Sequence, residues 1–480
     1  MNSPAPERES RIWGGAVLVG AALIALCSPH DYAGGWNDGS RLATAETLVD
    51  YHTWSIDASI FVRPNIVAPG APLPYQPDNS NSMRFGTGDK LLINGLYYSD
   101  KSPLPSLWLA AVYAVFQFCT GWTARTNAAA FCYVLTLATS GLAYVVAVWS
   151  IYRLGRPLRL PRPWPLLLTG SFALATIALP YVRHVNNHIL LLGVVAPLMV
   201  EMAWVARGAA VTWGRLLRLG LLAGLSYTID IGTGPVLLGG AAVWLAYRCR
   251  RPAALAMFAL AAAPWVLLHH ALNYAIGGTL GPANGVLGYL EWPGSPFNIH
   301  TMTGVWSHPS VSSFILYALD LLAGKQGFLT HNLALWLAIP ACWRLCRRPS
   351  TDRPELLLAV FWLMGTWLLY SIMSPNHSGV CCSVRWFVPL LAPAYYVLAI
   401  WLRDCPPIYR RDFCVLSAWG AVLGASMWWV GPWWPHLVPG FWAILAATLA
   451  SWLVSVYLRW RDQGIAAAQA AGRLAERKAA

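Results

Sequence analysis

Long apolar runs follow one another along nearly the whole chain, with short polar turns between them. A membrane-spanning helix needs about 20 mostly apolar residues. Runs of this kind fall at 12–28, 127–152, 164–182, 189–206, 216–231, 235–248, 254–275, 329–346, 355–373, 386–402, 413–431 and 439–458. Charged residues make up only 11% of the 480 residues and hydrophobic residues 57%. Soluble domains carry about 25% charged residues. So few charges cannot cover a soluble surface, so the expected fold is all-α, a polytopic transmembrane bundle of about 12 spans. Disordered, fibrous and disulfide-rich classes are excluded. The net charge of +13 does not point to nucleic acid, because the basic residues form no long stripe interleaved with aromatics.

The basic residues act instead as an orientation signal. Segment 103–120 is long enough to be a further span. If it crossed, Arg153, Arg156, Arg159 and Arg162 would face outward. If it lies along the outer interface, those arginines fall inside. So do Arg207 with Arg215 and Arg218, Arg248 with Arg250 and Arg251, Arg344 with Arg347 and Arg348, and Arg403 with Arg410 and Arg411. The charge rule favours the second arrangement, with both termini cytoplasmic. Residues 1–458 then form one transmembrane domain, with a first outer loop at 29–126, a second at 276–328, and a cytoplasmic tail at 459–480.

Polar chemistry gathers on the outer side. Trp36-Asn37-Asp38-Gly39-Ser40-Arg41 precedes a stretch, 40–51, that reads as an amphipathic helix. Asn37 or Asp38 can cap its start, and Asp38 and Arg41 can act on one side of it. The plain alternative is a capping Asp and a surface Arg. Tyr97-Tyr98-Ser99-Asp100-Lys101-Ser102-Pro103-Leu104-Pro105 opens the interfacial segment, with its prolines where a helix start tolerates them. Lys101 there is either a headgroup anchor or a point charge for a phosphate.

These two stretches, Asp38-x-x-Arg41-x-Ala43 and Tyr98-Ser99-Asp100-Lys101-Ser102-Pro103, resemble the first outer loop of GT-C-type glycosyltransferases. The protein O-mannosyltransferases and lipid A aminoarabinose transferases are the nearest in pattern. Ser102 stands where that family usually has its first proline. The resemblance covers about residues 12–155 and is architectural beyond them. It implies a GT-C-like fold and a glycosyltransferase that moves a hexosyl or pentosyl group from a polyprenyl-phosphate-linked donor to a glycan, lipid or protein acceptor. It implies inversion at the anomeric carbon, Asp38 as general base and Lys101 near the donor phosphate. A bacterial inner membrane with a periplasmic site is the expected location, and membrane lipids are expected partners.

The chemistry asks for such groups. Attack at an anomeric carbon passes through an oxocarbenium-like state, and cations set in advance stabilise the departing phosphate. Arg41, Lys101 and Arg385 are the available cations. Arg385 opens a span, where a headgroup contact is the plain reading. Tyr98, Asp100, Asn187, His188, Trp292 and His308 are candidate substrate contacts, and His300 lies in the same aromatic loop as Trp292. Arg183-His184-Val185-Asn186-Asn187-His188 lacks the carboxylate that relatives often place there. His184 and His188 share a face if the segment is helical, so a divalent metal is one option, sugar hydroxyls a second and structural packing a third. Asp230 breaks an apolar run and either caps a helix or serves the site. Cys381 and Cys382 sit in a polar loop, open to a metal or redox role. No GxxxxGK[ST], HExxH or GxSxG motif occurs. A transporter or lipid flippase, and a GT-C-like scaffold without activity, remain the alternatives.

Overall fold

The computed structural model describes residues 5–77, 79–298, 303–306, 308–347, 350–374 and 376–479. His300 and Arg348 lie outside the described residues. Helix α1 (Ala5–Cys27) leads into a folded outer layer. This layer holds α2 (Trp36–Asp50), the short α3 (Ser80–Phe85), a hairpin of β1 (Lys90–Ile93) and β2 (Leu96–Ser99), and α4 (Pro103–Thr120). Then follow α5 (Ala128–Thr136), α6 (Leu142–Leu154), α7 (Trp164–Leu174), α8 (Ala178–Tyr181), α9 (Asn187–Ala206), α10 (Trp213–Ile229), α11 (Gly234–Cys249) and α12 (Pro252–Gly277). The second half holds α13 (Val311–Ala323), α14 (Ala338–Arg347), α15 (Arg353–Met373), α16 (Leu391–Asp404), α17 (Arg410–Val430) and α18 (Phe441–Ala479).

The chain is a helical membrane protein. Among the described residues, eight helices are long and apolar enough to cross a membrane, with Pro103–Thr120 among them by length. Several expected spans are shorter or broken. The run 164–182 divides into α7 and α8, and 329–346 begins as a 3-10 turn before α14. The split expected at Asp230 is present, with α10 ending at Ile229 and α11 starting at Gly234.

Helix α16 is the centre of the core. Every residue from Leu391 to Leu402 is buried, as befits a helix that is apolar all round. It packs against α6, α7, α9, α14 and α15. At one end of the bundle, buried acids gather the arginines of separate loops. Asp352 holds Arg207 at 2.8 Å and Arg403 at 2.9 Å, Glu201 holds Arg215 at 2.9 Å, and Glu355 holds Arg248 at 2.5 Å. Loops that meet in this way lie on one face, as the charge pattern requires.

The opposite face carries the outer layer. Helix α2 departs from the amphipathic expectation: it starts at Trp36, and residues Asn37–Thr47 are all buried. Helix α4 buries Leu109, Ala110 and Tyr113, and leaves Trp108, Val115 and Phe118 exposed. It is tied to α2 towards its C-terminal end and to α10 at its start. Tyr113 and Gln117 donate to the Asp50 carboxylate at 2.8 Å, and Ser102 donates to the Thr228 carbonyl. The hairpin turns at Asn94-Gly95, both at positive φ (51° and 82°), the backbone such a two-residue turn needs. Lys90 thereby faces Ser99 in register, so Asp89 and Asp100 arrive side by side.

Glu46 shows how dry this layer is. Ser59 Oγ and the Ile60 amide donate to Oε2 at 2.6 and 3.0 Å, while Oε1 is buried without a partner. Burial pushes its carboxyl up to about 8 from the ordinary 4.5. The folded state therefore binds a proton that the unfolded state releases. This contribution to stability is full below pH 4.5 and is lost as pH rises through about 8. Glu46→Gln should remove that decline. Thermal unfolding across pH 5 to 9 should show roughly equal wild-type and variant behaviour at the acid end and a more stable variant at the alkaline end.

Candidate functional site

A cavity of about 570 Å³ opens where the outer layer meets the ends of α9, α10, α15 and α16. Asn37 and Arg41 of α2, Asp89 and Asp100–Ser102 beside the hairpin, Asn187 and His188 at the start of α9, Asp230, and Tyr370, Arg385 and Trp386 line it. Arg41, Asp100, Lys101, Asn187, His188 and Arg385, each singled out in the sequence, are thus brought together.

Each side chain has a local reason to be there. The hairpin aims Asp89 and Asp100 at Lys101, whose Nζ is 2.6 Å from Asp89 and 2.7 Å from Asp100. Burial raises both carboxyls, but at Asp89 the Lys101 charge and hydrogen bond win and hold it below the usual range. At Asp100 burial wins, helped by the neighbouring Asp89, and its carboxyl sits above that range. Ser40 Oγ donates to the Asp89 carbonyl at 2.6 Å and locks the cluster to α2.

Arg41 is 2% exposed. Its Nη1 donates to the Asn37 backbone and side-chain carbonyls, both at 2.7 Å, and Nη2 donates to Asn187 Oδ1 at 2.9 Å. All these partners are neutral. Burial, with a contribution from Arg385, lowers it to about 10, so it remains a cation at neutral pH. Arg385 starts the turn into α16; its amide donates to Ser378 Oγ at 3.0 Å, and its guanidinium lies 5.5 Å from the Trp433 ring. Among the described residues neither arginine has an ion-pair partner. Next to Arg385, Trp386 stacks on Tyr370 with centroids 4.3 Å apart and planes 5° from parallel.

At the α10–α11 break, Asp230 Oδ1 accepts from the Gly232 and Thr233 amides at 2.9 and 3.2 Å. Its Oδ2 accepts from Asn187 Nδ2 at 3.3 Å and lies 3.1 Å from His188 Nδ1. Asp230 therefore joins the site and does not cap α11.

Other expected residues are placed elsewhere. Asp38 does not line the cavity. It is 1% exposed, and its carboxylate accepts from the Gly34 and Gly35 amides at 2.7 and 2.9 Å and faces His184 Nδ1 at 3.1 Å. It closes the start of α2 from within the helix. Gly34 is required there, because a Cβ would collide with the Trp433 and His184 rings. His184 and His188 do not share a helix face, since Asn186 caps α9 between them. His184 stacks on His30 at 4.8 Å. Among the described residues no three His, Cys, Asp or Glu side chains gather as a metal site, so the proposed histidine metal pair does not form. Trp292 and Tyr97 sandwich Lys90, with Nζ 4.7 and 4.4 Å from their rings. Tyr98 packs against a small cluster around Leu91 and Leu290. His308 Nε2 is 2.7 Å from the Ser371 carbonyl, outside the cavity lining. Cys381 and Cys382 are buried free thiols.

The sequence did not reveal Asn37, Asp89, Tyr370 or Trp386 as lining residues. The Asn94-Gly95 turn would have pointed to Asp89; nothing in the sequence pairs Tyr370 with Trp386.

Comparison with protein-family models finds no match, and comparison with curated proteins finds none either. Solved structures similar to the chain include ArnT from Cupriavidus metallidurans in the apo state, at 14% identity, covering 95% of this chain and 76% of that one, with a TM-score of 0.48. The same protein bound to undecaprenyl phosphate gives 13% identity, 93% and 75% coverage and a TM-score of 0.47. The Archaeoglobus fulgidus oligosaccharyltransferase in the apo form gives 13% identity, 88% and 57% coverage and a TM-score of 0.46.

Asp38→Ala should remove both amide contacts at the start of α2. Thermal unfolding should show a loss of about 1–2 kcal/mol, the usual cost of a lost helix-start cap.

Proposed function

We propose that this chain is a membrane glycosyltransferase that moves a sugar from a polyprenyl-phosphate-linked donor to an acceptor at the outer face. The observation that carries this reading is the pair of cavity arginines, Arg41 and Arg385, which among the described residues have no carboxylate within ion-pair distance. A cation held among helices away from water is costly unless an anion answers it. A phosphate fits that need, and Lys101, ion-paired with Asp89 and Asp100, lines the same cavity and can turn a donor to it. The outer layer sits on a bundle of membrane helices, where a lipid-borne phosphate would arrive with its chain still in the bilayer.

In this reading the three cations stabilise charge on the departing lipid phosphate as the bond to the anomeric carbon breaks. The Tyr370–Trp386 stack offers an apolar wall for the sugar or the first isoprene unit. The acceptor hydroxyl attacks from the far side, with inversion. The resemblance gives the base role to Asp38. Its oxygens are engaged by the Gly34 and Gly35 amides and its exposure is 1%, so we assign it to holding the entry of α2. The outer face would be periplasmic, the membrane a bacterial inner membrane, and both termini cytoplasmic.

The test is binding of undecaprenyl phosphate to purified protein. Each of Lys101→Ala, Arg41→Ala and Arg385→Ala should weaken it about 10- to 100-fold, the worth of one charge-assisted hydrogen bond. Binding should also weaken with added salt. Unchanged affinity in all three variants would sink the assignment of the cavity to a lipid phosphate.

A further inference from the structure

We infer that His188, oriented by Asp230, is the general base that takes the acceptor's proton. The inference rests on the glycosyl-transfer reading above and names the group that reading leaves open.

The cavity holds three carboxylates, and each is already held by neighbouring protein groups. Asp89 and Asp100 are both committed to Lys101. Asp230 accepts from the Gly232 and Thr233 amides on Oδ1 and from Asn187 on Oδ2, and the same Oδ2 faces His188. Outside the cavity, Asp38 is closed off by its two glycine amides.

His188 is different. Its ring is held near the start of α9, where its own amide donates to the Asn186 side chain at 2.8 Å. Nδ1 faces Asp230 Oδ2 at 3.1 Å, close but not aligned as a finished hydrogen bond. Such looseness is common before substrate is bound. Among the described residues Nε2 has no protein hydrogen-bond partner, and the residue lines the cavity. An Nδ1–H directed at the carboxylate leaves the Nε2 lone pair for a hydroxyl proton. The charged groups that face the ring are Asp230 at the end of α10, Arg41 of α2 and Arg385 before α16. Asp89, Asp100 and Lys101 share the cavity.

The step balances as follows. The acceptor oxygen forms a bond to the anomeric carbon while its proton passes to Nε2. The bond from that carbon to the phosphate oxygen breaks, and its electron pair leaves with the lipid phosphate toward Arg41, Arg385 and Lys101. The imidazolium, steadied by Asp230, then returns its proton to water or to the released phosphate. Asp230 is a positioning residue throughout.

The experiment uses the purified full chain in lipid nanodiscs, a panel of undecaprenyl-phosphate-linked monosaccharides as donors, a bacterial envelope extract of lipids, glycans and proteins as the source of acceptor hydroxyls, and release of undecaprenyl phosphate as the readout. His188→Gln should lower turnover about 100- to 10,000-fold, the range for loss of a general base, and bind undecaprenyl phosphate as the wild type does. Wild-type turnover should fall on the acid side, as the base becomes protonated. Asp230→Asn should lower turnover and move that acid limb to lower pH, because the imidazolium loses its carboxylate. Near-wild-type turnover by His188→Gln would overturn the base assignment and leave glycosyl transfer standing. Loss of undecaprenyl phosphate binding in that variant would assign His188 to building the cavity and also overturn it. A wild type that releases nothing from any donor would overturn glycosyl transfer itself. The dyad is then decided by nitrogen-15 spectra of labelled histidine: an Nδ1–H tautomer at His188 that disappears in Asp230→Asn supports it, and an Nε2–H tautomer overturns it.

Discussion

Arg41 ties together segments far apart in the chain. Through Asn37 it fixes the start of α2, and through Asn187 it reaches the start of α9. Asn187 continues to Asp230 at the α10–α11 break. The outer layer is thus joined to the helical bundle by hydrogen bonds around one buried guanidinium. Its hydrogen-bond partners are all neutral, Nε is buried without a partner, and Asp100, Asp89 and Asp38 act on its charge only from beyond ion-pair distance. In this buried place its charge acts more strongly than it would in water.

The two faces of the bundle use charge in opposite ways. At the end away from the cavity, Asp352, Glu201 and Glu355 each hold one or two arginines, and these pairs lock loops together. At the cavity, Lys101 is matched by carboxylates, while among the described residues Arg41 and Arg385 are in no ion pair. Two Asp–His pairs show a similar division. Asp38 and His184 lie under the aromatic cluster of His30, Tyr32 and Trp433. Asp230 and His188, with similar spacing, line open space. What surrounds a pair, more than the pair itself, separates a closed contact from one that faces a cavity.

Much of the site was legible from local sequence. Lys101 stood out because it precedes two prolines at a helix start. Arg385 stood out as a charge where a span begins, and Asp230 as an acid that interrupts an apolar run. Less legible were residues whose role depends on a distant partner. Asp38 looked like an acceptor-side carboxylate, but the adjacent glycines fold back and donate their amides to it. His184 and His188 looked like one helical face, but Asn186 starts a new helix between them. Trp292 looked like a sugar platform, but Lys90 lies between it and Tyr97.

The sequence by itself determined the membrane class, the clustering of basic loops on one side and the gathering of polar chemistry on the other. These follow from hydropathy and charge counted along the chain, and solvent imposes them whatever the packing. Tertiary structure decided which polar groups share a cavity and which neutralise one another. Hydrogen bonds and ion pairs act only over about 3 Å, and α2, α9, α10 and α16 come within that distance only when the bundle is assembled.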